Sequence, residues 1–325
     1  MATTQPMAHA VRCNISRVTR SLIVTMSLLA ACASTAEPQP AKAPPPPVAR
    51  AAVEAPARAS PATSAAPVPA PRYRECGAGC QAFSSAEAAF DHVLLENPRV
   101  LAIGEAHAQS TGPKLTSSTR RFMDALLPRL RPRAADLVIE LWVANGSCGK
   151  VEQKVQKQQE AVTAPQAATN QNEFMELGHR AKALGIMPHA LVPSCEQYQK
   201  IAAAGAGDIE EMLTMLKVVT ARDVSALLAK RGPERLIIAY GGAMHNDLVP
   251  RPGREDFSFG PELAKVSGER YVELDLVIPE QIKDTDTWRA LPWYSRYPAA
   301  NPGTDAYLLS WAPHAYALVF PKAAP

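Results

Sequence analysis

Hydrophobic and polar positions follow two rhythms along this chain. Short, solid apolar runs alternate with longer stretches in which apolar residues recur every three or four positions. The first rhythm suits strands buried on both faces, the second helices with one apolar stripe. VLAIGEA (100–106) follows the turn signal Asn97-Pro98 and reads as a strand. ADLVIELW (135–142), GIMPHALV (185–192) and ERLIIAYGG (234–242) read the same way, and RYVELDLV (270–277) and HAYALVF (314–320) add further strands. Between them, residues 84–95 form a helix with Ser84 or Ser85 as cap and Glu87 in its first turn. A second helix covers 115–130, with Phe122, Leu126 and Leu130 four apart. Residues 174–184 form a third, closed by Gly185, and 208–230 a long fourth, stopped by Gly232-Pro233. The very polar stretch 150–162 is a helix or a flexible insertion, and the aromatic tail 287–298 is packing or a lid.

Strand and helix in alternation predict an α/β fold: a mostly parallel central sheet with helices on both faces. In such a sheet the carboxyl ends of the strands share one rim, where ligands bind. The first strand ends in Glu105 and His107; the second carries Glu140 between Ile139 and Leu141; the third carries His189; the fourth runs through Tyr240 to His245. Each has an ordinary reading alone: a solvated Glu105, a hydrogen-bonding His107, a Glu140 paired with Arg120 or Arg121, a strand-capping His189, a loop His245. Together, Glu105, His107, Glu140 and His245 are the candidate catalytic set. The same four are candidate ligands of a divalent metal, which would lower the pKa of a bound water. Without metal, a glutamate would activate water with a histidine as partner. His189 and Tyr240, with His245, are the candidates for binding a cofactor such as haem.

Composition divides the chain. It has 325 residues, a net charge of +3 and 30 prolines, crowded toward the N-terminal side. No basic face for nucleic acid emerges. Residues 1–32 read as an export leader, with Arg12, Arg17 and Arg20 before an apolar run too short to span a bilayer. Its end, Leu29-Ala30-Ala31-Cys32, resembles the lipobox of bacterial lipoproteins. That resemblance implies a lipidated Cys32, anchorage in the bilayer and, with Ala33 following, the periplasmic side of the outer membrane. The alternative is a plain leader cut near Ala31 or Ala33. Residues 33–71 form a Pro/Ala-rich disordered linker, and 72–325 a single domain. Cys76, Cys80, Cys148 and Cys195 are an even set in an exported chain, which suits disulfides. The expected pairs are Cys148–Cys195 and Cys76–Cys80; the rival zinc site lacks a second cysteine pair. There is no nucleophile elbow, P-loop or dinucleotide fingerprint.

Gly104-Glu105-Ala106-His107, Glu140 and Gly242-Ala243-Met244-His245 resemble, in order and spacing, a superfamily that includes erythromycin esterases, ChaN-like haem-binding lipoproteins and TIKI/TraB proteins. The resemblance spans 85–280. It implies one site built from these Glu and His residues. Members include metal-dependent peptidases, esterases and haem binders; many haem binders carry further histidines where this chain has Ser117-Ser118-Thr119. The expected function is hydrolysis of a peptide or ester bond in a small-molecule or peptide substrate. The alternatives are haem or small-ligand binding, and a non-catalytic envelope protein that uses the rim for partner contacts.

Overall fold

Val100, Leu101, Ala102 and Ile103 are all buried, which requires cover on both faces of their strand. The structure, a computed structural model, describes residues 72–110, 115–143, 148–299 and 303–322. The leader, Cys32 and the linker lie outside the described residues.

The described chain opens with a hairpin, β1 (Arg74–Gly77) and β2 (Cys80–Phe83), closed by the Cys76–Cys80 disulfide. Helix α1 (Ala86–Leu94) follows, its first turn capped by the Ser85 hydroxyl, and leads to β3 (Val100–Glu105). The next helix runs as α2 (Ser118–Arg121), a π-turn (Phe122–Leu126) and α3 (Leu127–Leu130). Pro128 explains the π-turn: it has no N–H to give, and the ladder widens so that Leu127 donates to the Phe122 carbonyl. Strand β4 (Ala134–Trp142) then leads to α4 (Lys150–Thr163) and α5 (Asn170–Ala183). The polar stretch is therefore a helix. Next come β5 (Met187–Leu191), α6 (Cys195–Ala203), α7 (Asp208–Lys230) and β6 (Leu236–Gly242). Helix α8 (Gly260–Val266), β7 (Tyr271–Val277), α9 (Asp286–Arg289), β8 (Ala306–Ala312) and β9 (Ala315–Val319) complete it. Cys148 and Cys195 form the second disulfide, with Cα atoms 5.3 Å apart.

The nine strands of the described residues join one sheet in the order β1-β2-β8-β9-β7-β3-β6-β4-β5. From β9 to β5 every neighbour is parallel; β1, β2, β8 and β9 pair antiparallel. Alternate residues feed two cores. Leu101, Ile103, Leu137, Ile139 and Tyr240 pack on Phe122, Leu126 and Leu130. Val100, Ala102, Val138 and Ala239 pack on Val219 and Val224 of α7 and Leu263 of α8. Burying each such side chain contributes about 1.5–3 kcal/mol.

This topology places the site. Glu105 is in register with Gly242, and Ile139, just before Glu140, with Tyr240. The chain leaves β3 toward the α2–α3 face and leaves its neighbour β6 toward the α8 face. Neighbouring strands whose connections part to opposite faces open a crevice at their carboxyl ends.

Candidate active site

Glu105 ends β3 on the α2–α3 face, with both carboxyl oxygens engaged. Oε1 faces His107 Nδ1 at 3.1 Å; Oε2 accepts from the Thr119 hydroxyl at 2.7 Å and the Tyr240 hydroxyl at 3.0 Å. The Tyr240 ring packs on Phe122 and Phe174. Burial, then the Glu105 charge, push the Tyr240 hydroxyl well above its ordinary pKa, so it stays a neutral donor.

His107 crosses the top of the sheet. Its Nδ1 is on Glu105 while its Nε2 faces Glu140 Oε1 at 3.9 Å. Burial pulls its pKa down, but the hydrogen bond to Glu105 and the charges of Glu140 and Glu105 outweigh it and raise it to about 9. His107 is thus an imidazolium at neutral pH, aimed at Glu140.

Glu140 lies beyond the regular end of β4 pairing and leans over β6. Its Oε2 accepts the Gly242 N–H at 2.7 Å. Gly241 makes room: a Cβ there would stand 2.3 Å from Glu140 Oε2. At Gly242 a Cβ would lie 3.4 Å from His107 Nε2, 3.6 Å from Glu140 Oε2 and 3.7 Å from the His245 ring. The three side chains therefore frame the space over one glycine. His245 is buried in the loop after β6, and its Nδ1 is 2.8 Å from the Phe257 carbonyl. A carbonyl only accepts, so Nδ1 carries the hydrogen and Nε2 faces Glu140 Oε1 at 4.0 Å. A cavity of about 10 Å³ behind Gly241 and Gly242, lined also by Glu140, Thr220 and His245, has room for one water centre.

The structure thus brings together Glu105, His107, Glu140, Tyr240 and His245. It does not bring His189 to them. That residue is in register with Val138, on the face opposite Tyr240, and its Nε2 lies 2.9 Å from Asp136 Oδ1. Arg231 holds the same carboxylate through two hydrogen bonds, at 2.7 and 2.8 Å. His189 is committed to this ion pair, so it and Tyr240 do not share one ligand site. Arg120 and Arg121 do not pair with Glu140 either: Arg120 binds Glu176, and Arg121 binds the Thr116 and Pro321 carbonyls. Sequence reading missed Thr119, the Phe257 carbonyl and the packing role of Phe174; none carries a local signal.

Both Glu105 oxygens are already hydrogen-bonded, and among the described residues no group of three or more His, Cys, Asp or Glu is arranged to hold a metal ion. The atoms that face one another are His107 Nε2, His245 Nε2 and Glu140 Oε1. Among the described residues no helix is long and apolar enough to cross a membrane.

No family model matches the chain, and no curated protein matches it. Two solved structures are distantly similar. The type III effector HopBA1 is 10% identical, with 78% of this chain and 97% of that one covered and a TM-score of 0.38. An erythromycin esterase, EreC, solved as a mutant in its open conformation, is 11% identical, with 71% and 92% covered and a TM-score of 0.38. At that level the likeness assigns neither family nor activity.

Proposed function

We propose that this protein is a hydrolase of ester or peptide bonds that uses a Glu/His site without a resident metal. One observation carries the reading: Glu140 Oε1 stands 3.9 Å from His107 Nε2 and 4.0 Å from His245 Nε2. Two hydrogen bonds of about 2.8 Å that meet near a right angle span about 4 Å, so a single oxygen can bridge either pair. A water between Glu140 and His245 is oriented by the carboxylate and gives its proton to His245 Nε2, whose lone pair is kept free by the Phe257 carbonyl. The water oxygen attacks the substrate carbonyl carbon. His107 Nε2–H donates to the carbonyl oxygen as it becomes an oxyanion. Collapse of the tetrahedral intermediate breaks the bond to the leaving group, which takes the proton back from His245. Glu105, held by Thr119 and Tyr240, keeps His107 charged and aimed.

Turnover of simple aryl esters and of a peptide library by the purified chain tests this. His245→Gln and Glu140→Gln should each lower kcat by about 10²–10⁴, and metal analysis should find no stoichiometric ion. Turnover indifferent to both substitutions sinks the reading.

The protein's place of action is part of the same proposal: a cell-envelope enzyme anchored through Cys32. Two disulfides suit export. Fractionation of Cys32→Ser should move the protein from membranes to the soluble fraction; a variant still bound to membranes counts against the anchor.

A further inference from the structure

The run from Cys148 to Asn170 is tied down at both ends beside the site. At its start, Cys148 is bonded to Cys195, the first residue of α6. Just before it, Trp142, two residues after Glu140, stacks on Tyr198 of α6 at 6.4 Å. At its end, the Ala167 N–H donates to the Ala108 carbonyl at 2.7 Å, and the Ser110 N–H to the Pro165 carbonyl at 3.0 Å. Asn170 Nδ2 donates to the same Ala108 carbonyl at 3.0 Å. Ala108 is the residue after His107. From there α5 brings the Phe174 ring to 5.9 Å from the His107 ring. The strap is thus fastened to α6 at one end and, at the other, to the residue after His107.

What lies between is α4, which fully buries Val155, packs Val151 and Val162 partly against the same core and reaches α6 through Gln158 Nε2, which donates to the Ile201 carbonyl. A polar helix with one fully buried apolar side chain and two partly buried ones is held weakly by its own packing. The bond from Cys148 to Cys195 is a covalent hold added to it. That bond is open to reagents, because Cys195 is exposed and Cys148 half-buried.

We propose that the Cys148–Cys195 disulfide is a redox latch on the candidate active site: its reduction by a dithiol frees α4 from α6 and loosens the placement of Glu140 and His107. The effect on turnover rests on the hydrolase reading; the release of α4 does not. The step is ordinary exchange. A thiolate of the dithiol attacks one protein sulfur, a mixed disulfide forms, and the second thiol of the reagent displaces the cysteine. The protein's S–S bond becomes two thiols, and the dithiol leaves as its own disulfide.

The full chain, oxidised and then treated with dithiothreitol, is followed by hydrogen exchange, ester turnover and the NMR signal of the His107 ring. A Cys76→Ser/Cys80→Ser variant leaves one disulfide to reduce, and Cys148→Ser/Cys195→Ser imitates the open latch without reductant. Reduction should remove the protection of residues 150–163 while the sheet keeps its own, shift the His107 signal and lower turnover; the open-latch variant should match it untreated. Protection of α4 that is the same in all forms overturns the latch. So does loss of that protection with the His107 signal unmoved. If no form turns over any ester or any peptide of the library, the hydrolase reading fails, and exchange and the His107 signal still decide on the latch.

Discussion

Gly241 shows how one missing carbon fixes the site. The Glu140 carboxylate occupies the place a Cβ would take, and from there it reaches the Gly242 N–H and faces both histidines. Gly241→Ala must push Glu140 off this position. Overpacking costs about 1–3 kcal/mol, and a shift of about 1 Å at the reacting group costs roughly 10²-fold in rate. The variant should therefore stay folded, with a lower melting temperature, and lose most of its turnover; wild-type turnover would show that Glu140 has no catalytic part. At this scale the sequence was readable where an apolar run ended in or enclosed a polar residue, as at Glu105 and His245 and at Glu140. It was silent where the partner came from elsewhere. Nothing near Thr119 says that its hydroxyl meets Glu105, and His189 looked like a rim residue because its strand begins late beside β4 and its partner, Asp136, is an acid inside an apolar run.

Among elements, the solid apolar runs were legible because burial on both faces leaves few polar positions, Asp136, Glu273 and Asp275 being exceptions. The 115–130 helix was legible only in outline: its start at Ser118 depends on the Ser117 cap, and the slip at Pro128 on a missing donor. Strands β1, β2 and β8 escaped notice because the first two are four residues each and the third follows a Pro-rich tail. Whether 150–162 forms a helix could not be read from its polarity, since its hold on the molecule comes from another element. In the chain-entropy account, a cross-link with a sequence separation of 47 residues contributes about 4 kcal/mol. One buried valine contributes about 1.5–3 kcal/mol. The bond thus adds to an apolar face made of Val155 with Val151 and Val162 partly packed beside it.

The whole molecule also carries a buried acidic group behind the loop that holds His245. Glu273 and Asp275 of β7 are buried, and Asp247 packs beside them. Burial, then the charge of Asp275, pushes Glu273 far above the carboxylate range; burial, then the charge of Asp247, raises Asp275 as well. The native state therefore holds protons that the unfolded chain releases at ordinary carboxylate pKa values. Stability from this source is full at acidic pH and is lost as pH rises through the raised native values. His107, raised from 6.5 to about 9, acts in the same direction. The melting temperature should fall from neutral to alkaline pH, and Glu273→Gln should flatten that fall; a wild-type melting temperature that climbs over this range refutes the assignment.

The open sheet has two ends, and both are poor templates for another chain. One is β1, four residues long, with its register broken beside the Cys76–Cys80 closure. The other is β5, five residues long, where Pro188 has no amide hydrogen to offer. A long parallel sheet tends to recruit further strands through its free amides and carbonyls, the route to fibrous aggregates. Here the last rungs on each side are too few and too irregular to begin one, so the width of the sheet offers no ready template at either border.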